Sequence, residues 1–283
     1  MAADMSLIMG IESSCDETAV ALVADGRRVV AERVASQADD FAEWGGVVPE
    51  IAARGHVGWL PGLVEAVLDE AACRPAGIDA IAVGSWPGLI GSLLVGVTCA
   101  KTLALAWERP LIAVDHVQAH LAAVHLGREQ VPYPLVGLVV SGGHSHLYHC
   151  RAPGQSELLG GTIDDAAGEA FDKAAATLEL GYPGGPLIDA RAAQGDPRAF
   201  PLPRSFLRDA SLRFSFSGVK TALLYQLRGP QGRDALQLDE AGIADACASF
   251  QAAVVDCLVG KTLQAVARCG VTAVTVGGGG ACN

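Results

Sequence analysis

The sequence predicts a mixed α/β chain made of two similarly organised halves, and three observations lead there. A strand–turn–strand pattern opens the chain and returns at residue 134. Strand-like runs alternate with long apolar helical stretches, the signature of helices layered on sheets. The chain is 51% hydrophobic but only 5% aromatic, with 34 glycines, which suits close helix–sheet packing and tight turns over an aromatic-rich sandwich. At 283 residues there is room for two domains.

In chain order, LIMGIES, the turn Ser14-Cys15-Asp16-Glu17 and TAVALVAD read as a hairpin, and Gly26-Arg27 turns into a third strand, RVVAERVAS. Residues 50–71 are helical by the spacing of Ile51, Leu60, Leu63, Val64 and Val67. IDAIAVGSW is a buried strand, LIGSLLVGVTCAKTLALAWE a long and largely buried helix, and PLIAVDH a strand entering the helix HVQAHLAAVHL. The second half repeats the theme with PLVGLVVS, a turn at 142–145 and HLYHCR. Helices come next near 166–180, 184–194 and 239–268, and VTAVTV is a last strand running into four glycines. Such a repeat implies two like-folded lobes around a cleft, 1–133 and 134–283.

Several classes are excluded. The N-terminus has no basic region or cleavage site of a secretory signal, and the apolar runs are expected to be too interrupted to span a bilayer. Eight cysteines without a CxxC pair point to buried, reduced thiols. A net charge of −11 argues against a globally nucleic-acid-binding surface. The charge is uneven, however. Between Arg198 and Arg233 lie seven bases against one acid, Asp209, with Phe200, Phe206, Phe214 and Phe216, so a local polyanion contact is open alongside a core hairpin with solvated arginines.

Three groups of residues carry chemistry. Both hairpin turns hold small residues (Ser13 and Ser14; Ser141, Gly142 and Gly143), so their amides can approach a phosphate; ordinary hairpin turns look the same. In Asp115-His116-Val117-Gln118-Ala119-His120 the two imidazoles share a helical face and can reach one metal ion, although two unrelated surface histidines would give the same short pattern. A metalloprotease of the HExxH type needs Glu where Val117 stands. A third ligand, typically a carboxylate, is expected elsewhere. Asp165, Glu169 and Asp172 fall near one helical face, as part of a site or as a solvated helix start.

Taken together, GIESSCDETAVAL (10–22), GGVVPEIAARGH (45–56), PGLIGSLLVGVTCAKTLA (87–104), VDHVQAH (114–120), VSGGHSHL (140–147), DDAAGEAFDKAA (164–175), YPGGP (182–186) and FSFSGVKT (214–221) resemble the bacterial tRNA threonylcarbamoyladenosine transferase family, once called O-sialoglycoprotein endopeptidase. The resemblance implies the two-lobed actin/Hsp70/sugar-kinase (ASKHA) fold in the cytoplasm. It implies transfer of threonylcarbamoyl from its adenylate to N6 of the adenosine 3′ of the anticodon, in tRNAs reading ANN codons. It makes His116 and His120 ligands of a divalent metal, iron or zinc. Val140, Ser141, Gly142, Gly143 and His144 match the loop holding the adenylate phosphate, Asp172 and Gly185 the ribose contacts, and Asn283 the end of the nucleotide loop. Asp16 and Glu17 match the acidic pair of the first turn, candidates for the base. Implied partners are tRNA, threonylcarbamoyl-AMP, a paralogous inactive protein of the same fold, a P-loop ATPase and the synthase that makes the adenylate. Trp86, Gly280 and Ser145-His146 depart from the usual pattern. The family continues past Asn283 with a strand and helices whose CTDNA-like motif completes the metal site, so the chain is expected to be C-terminally truncated, with uncovered apolar surface and weaker metal binding. A metallopeptidase and a non-catalytic scaffold are the competing readings.

Overall fold

A computed structural model describes residues 6–232 and 236–282; Asn283 and Arg233 lie outside the described residues. The chain divides into two compact units, Met1–Val131 and Pro132–Asn283.

The first unit is a five-stranded sheet in the order β3-β2-β1-β4-β5, formed by β1 (Leu7–Glu12), β2 (Glu17–Ala24), β3 (Arg28–Ser36), β4 (Ala80–Trp86) and β5 (Leu111–Asp115). β1, β2 and β3 pair antiparallel, whereas β1, β4 and β5 run parallel. After the short α1 (Ala38–Phe41), α2 (Pro49–Glu70) and α3 (Ile90–Trp107) supply the crossovers. The core combines Met9, Ile11, Val20 and Leu22 from the sheet with Leu60, Val64 and Val67 of α2 and Ala100 and Ala104 of α3. α4 (His116–Ala122) leaves β5 directly.

The second unit repeats the connectivity. β6 (Leu135–Val140), β7 (Ser145–Ala152) and β8 (Gln155–Gly161) are antiparallel neighbours, and β9 (Val274–Gly277) lies parallel to β6, giving β8-β7-β6-β9. Four helices pack here: α5 (Ala167–Thr177), α6 (Gly184–Ala192), α7 (Ser217–Arg228) and α8 (Glu240–Cys269). Every residue of β6 is buried, as expected of a strand covered on both faces. Phe250 of α8 is fully buried and meets Phe171 of α5 edge-on at 5.2 Å.

The structure corrects several expectations. β8 is absent from the sequence-based element list, because QSELLGG on a sheet edge has an exposed pattern without period-two alternation. α7 is absent from it too: only Val219 and Leu223 are buried, too sparse a stripe to register as a period. FSFSG is not a hairpin, since Phe214 and Phe216 stack in the core at 5.8 Å before α7 begins. Contrary to the expectation from interrupted runs, α3 and α8 are long and apolar enough to cross a membrane by length and composition. α8 instead contributes Ala246, Cys247, Phe250 and Val254 to the core, while α3 exposes Ile90, Leu94 and Leu105. The thiols are not uniformly buried either: Cys150, Cys247 and Cys257 are, but Cys15 is exposed, and all seven described cysteines are free.

Phe250→Ala removes a fully buried ring from this core and should cost about 3–5 kcal/mol. Val255→Ala, on the exposed face of the same helix, should stay within about 0.5 kcal/mol. Urea denaturation of both variants checks the contrast.

Candidate functional site

In the first unit, chain geometry gathers chemistry at the carboxyl ends of β1, β4 and β5, where ligands bind in open parallel sheets. α4 starts at His116 because Asp115 caps it, accepting a hydrogen bond from the amide of Gln118 at 3.0 Å. The i, i+4 spacing then brings Nε2 of His120 within 3.1 Å of Nε2 of His116. Two imidazoles on one ion at about 2.1 Å, with bond angles between octahedral and tetrahedral, stand about 3.0–3.4 Å apart. The pair therefore has the separation of a chelate.

The other ring nitrogen of His116 is also held. Its Nδ1 lies 3.2 Å from Oε2 of Glu12 and 3.2 Å from Oγ of Ser14. A carboxylate only accepts, so the proton belongs on Nδ1 and the lone pair on Nε2, as a metal ligand requires. Burial pushes the Glu12 carboxyl up, but hydrogen bonds from His116 and Ser14 outweigh it and hold Glu12 below the usual carboxylate range. For His120, burial and the neighbouring His116 push the imidazole below its ordinary value and keep it neutral. Gly84 makes room for this arrangement, because a Cβ there would come within 2.5 Å of Oε2 of Glu12. No group of three or more His, Cys, Asp or Glu able to hold a metal exists among the described residues; His116 and His120 could supply two ligands to an ion, and no third stands beside them there.

Asp16 and Glu17 sit in the adjoining turn. Desolvation there, then the charges of Asp16 and Glu12, raise the Glu17 carboxyl. The serines of this turn are engaged within the unit: Ser13 is buried and its hydroxyl donates to the carbonyl of Ser92 at 2.9 Å, while the Ser14 hydroxyl lies 3.2 Å from Nδ1 of His116 and its amide donates to Glu12. Two further residues matter here that sequence reasoning does not single out. Glu12 is one. The other is His56 of α2, fully buried, whose Nε2 donates to the carbonyl of Cys15 at 3.1 Å while Nδ1 accepts from Thr18 Oγ1 at 2.7 Å. His56 thus pins both ends of the Asp16–Glu17 turn. Both lie inside the motifs GIESSCDE and GGVVPEIAARGH, which were the available signal.

In the second unit, residues 141–144 come after β6 and are closed by a bond from the Ser141 amide to the His144 carbonyl (2.8 Å) and from the His144 amide to Ser141 Oγ (3.0 Å). The amides of Gly168 and Glu169, opening α5, clamp this loop through the carbonyls of Ser141 and Gly142. The amides of Gly142 and Gly143 make no hydrogen bond among the described residues. Neither glycine has a positive φ, so these positions do not need glycine for backbone reasons; a Cβ there would meet only open space. The glycine loop after β9 converges on the same point: Gly278 has φ +96° and its backbone lies so near Val140 that a Cβ would collide with the carbonyl oxygen. Val140 itself is buried. Asp172, one turn further along α5, accepts from the Gly184 amide at 2.8 Å and so fixes the start of α6, which carries Gly185. The structure thus brings together Val140, Ser141, Gly142, Gly143 and His144 with the loop leading to Asn283, and ties Asp172 to the turn at Gly185.

The expected carboxylate face of 164–172 separates into parts. Asp165 precedes the helix and is held at 2.8 Å by both Lys173 and Lys220, and Glu169 pairs with Lys173 at 2.7 Å. Asp164 accepts from Ser215 Oγ and from the amides of Phe216 and Ser217 at the start of α7. These acids are internal fasteners.

Two α/β units, each an antiparallel meander whose first strand is joined by a parallel strand and packed with helices, match the ASKHA class of α/β folds. The activator of the 2-hydroxyisocaproyl-CoA dehydratase from Clostridium difficile has a similar fold, with a TM-score of 0.50, 13% identity, and coverage of 98% of this chain and 81% of that one. Residues 28–283 match the family described as tRNA N6-adenosine threonylcarbamoyltransferase. A member from Anaeromyxobacter sp. (strain Fw109-5) is 49% identical over 279 residues, covering 98% of this chain and 81% of the relative. One from Trichlorobacter lovleyi is 51% identical over 281 residues, covering 98% and 80%. The chain belongs to the tRNA N6-adenosine threonylcarbamoyltransferase family.

If the imidazole pair holds a divalent ion, Glu12→Ala should lower its affinity about 10–100-fold while leaving the fold intact, since it frees the ring that it orients. His120→Ala should abolish stoichiometric binding; chelator-competition titration separates the two outcomes. A further test concerns His56. Burial pushes its imidazole below the ordinary 6.5, against the opposing pull of the Cys15 carbonyl, Glu12 and Asp16. Above 6.5 its neutral form is favoured in folded and unfolded chains alike. As pH falls below that value only the unfolded chain takes up the proton, so stability declines until the folded value is reached. The urea midpoint should drop on mild acidification, and drop less in His56→Gln.

Proposed function

We propose that the chain transfers threonylcarbamoyl from L-threonylcarbamoyl-AMP to N6 of the adenosine 3′ of the anticodon in tRNAs reading ANN codons, in the cytoplasm, with one divalent metal ion on His116 and His120. The observation that carries the metal assignment is the 3.1 Å approach of the two Nε2 atoms with Nδ1 of His116 fixed by Glu12. When bound, the ion supplies Lewis acidity toward carbamoyl or phosphate oxygen; ferrous iron and zinc both suit two imidazoles and a carboxylate.

In the reaction the bond between the carbamoyl carbon and the phosphate oxygen breaks, the bond from N6 to that carbon forms, one N6 proton leaves, and AMP departs. Ser141, Gly142, Gly143 and His144 hold the phosphate of the adenylate, with the amides of Gly142 and Gly143 as donors to its developing charge. Asp172, Gly185 and Asn283 hold the nucleoside. Asp16 or Glu17 accepts the N6 proton, and the raised carboxyl of Glu17 suits it better for that task. A peptidase is disfavoured by the buried Val117 in the position of the missing base, and a scaffold by the intact, oriented histidine pair. The working partners are tRNA, the paralogous protein of the same fold, the P-loop ATPase and the synthase.

The test is adenylate-dependent labelling of tRNA by the chain assembled with these partners. Transfer should be lost in His116→Ala, and the rate should fall as pH drops through the raised Glu17 value. Glu17→Gln should flatten that pH profile, and an unchanged profile would remove Glu17 from the base role. Peptide hydrolysis without tRNA labelling would instead select the peptidase.

A further inference from the structure

The seven bases between 198 and 233 are not equivalent once folded. Lys220 is spent on Asp165, Arg228 on Glu179 and the carbonyl of Thr177, and Arg204 on Asp256 at 3.0 Å. Arg208 and Arg213 have no carboxylate partner among the described residues, and both are exposed. They flank one loop. Of the four phenylalanines in the segment, Phe214 and Phe216 are core and Phe200 packs against it, while Phe206 is half-buried and lies outside that core.

That loop is held rigidly from beneath by α8. Lys261 is completely buried, and its Nζ donates to the carbonyls of Asp209 (2.9 Å) and Ser211 (2.5 Å) and to the carboxylate of Asp209 (3.0 Å). Gln264, one turn on, donates to the carbonyl of Leu207 at 2.8 Å. Phe206 is meanwhile held at φ +58°, a conformation that an aromatic residue adopts only when its surroundings enforce it. The guanidinium of Arg213 lies over its ring, 5.2 Å from the centroid. Arg204, Phe206, Leu207, Arg208, Asp209 and Asp256 line a groove here. Both acids in it are already matched, Asp256 by Arg204 and Asp209 by Lys261, so Arg208 and Arg213 give the site a surplus of two positive charges on a chain whose net charge is −11.

We propose that the 204–213 loop is an RNA-contacting surface that takes an unpaired stretch of the tRNA substrate: a base stacks on the Phe206–Arg213 pair while Arg208 meets the adjoining phosphate. Stacking on an aromatic ring or a guanidinium plane, next to a cation for the backbone, is how single-stranded RNA is held. A partner protein would be expected to bury an apolar patch, whereas this groove presents paired acids and unspent guanidinium groups. The loop also feeds directly into the edge of the second sheet, through hydrogen bonds from the Phe214 amide to the carbonyl of Gly161 (3.0 Å) and from the Ile163 amide to the carbonyl of Phe214 (3.1 Å). The inference rests on tRNA being the substrate.

The experiment compares the intact chain with R208A/R213A and with Phe206→Ala in fluorescence-anisotropy titrations of tRNA at several salt concentrations, and in single-turnover transfer at saturating tRNA. Arg208 and Arg213 are exposed and make no ion pair among the described residues, so the double variant should stay folded and lose only the Arg213–Phe206 contact, read as a small drop in the thermal midpoint. We expect its tRNA affinity to fall at least about tenfold with a salt slope shallower by roughly one to two. Phe206→Ala should weaken binding by about fivefold or more. The transfer rate at saturating tRNA should be retained. Affinity and salt slope within about twofold of the parent would overturn the proposal while leaving the transferase reading intact. A defect seen only when the partner proteins are present would also overturn it and assign the loop to a protein contact. Failure of the parent chain to bind or modify tRNA would remove both readings together.

Discussion

The contact between the carboxylate of Glu12 and Nδ1 of His116 joins the end of a central strand to the helix that carries both imidazoles, and the first unit's chemistry depends on it. It fixes the tautomer of His116, aims its Nε2 lone pair toward Nε2 of His120, and through the Ser14 amide shapes the turn bearing Asp16 and Glu17. The room for it comes from a glycine in the neighbouring strand, and the far side of the turn is pinned by His56. Positioning therefore comes from sheet and helix ends, the stiffest parts of the unit, with the turn itself carrying little of it.

In the second unit the corresponding strand ends support a different chemistry. There the loop after β6 is closed on itself and clamped by the first amides of α5, leaving two glycine amides uncommitted among the described residues. The same connectivity thus yields an imidazole pair in one unit and a loop with two open glycine amides in the other. The difference lies in the segments that leave the parallel strands: a capped helix after β5, glycine loops after β6 and β9.

Much of this architecture is legible in the sequence. The duplication is visible because both opening hairpins carry strong strand patterns, and the histidine pair because i, i+4 spacing is a geometric statement in any helix. The features that are not legible have identifiable causes. β8 and α7 bury too few side chains to impose a period. The basic, phenylalanine-rich segment looks uniform because composition cannot separate core Phe214 and Phe216 from half-buried Phe206, nor spent arginines from unspent ones. The hydroxyls of Ser13 and Ser14 meet residues far along the chain, Ser92 and His116, which the spacing within the turn does not foretell. Glu12 reaches His116, and His56 reaches Cys15 and Thr18, across long stretches of chain, and spacing alone says nothing about those contacts.

The most direct measurement is X-ray absorption at the iron edge of the iron-loaded, partner-assembled protein, compared with the Glu12→Ala variant. The expected result is a first shell containing two imidazole nitrogens near about 2.1 Å, with the ring scattering of histidine, and a disordered or depleted shell in the variant. A fully loaded, active protein whose iron shell shows no imidazole scattering would contradict the assignment of His116 and His120.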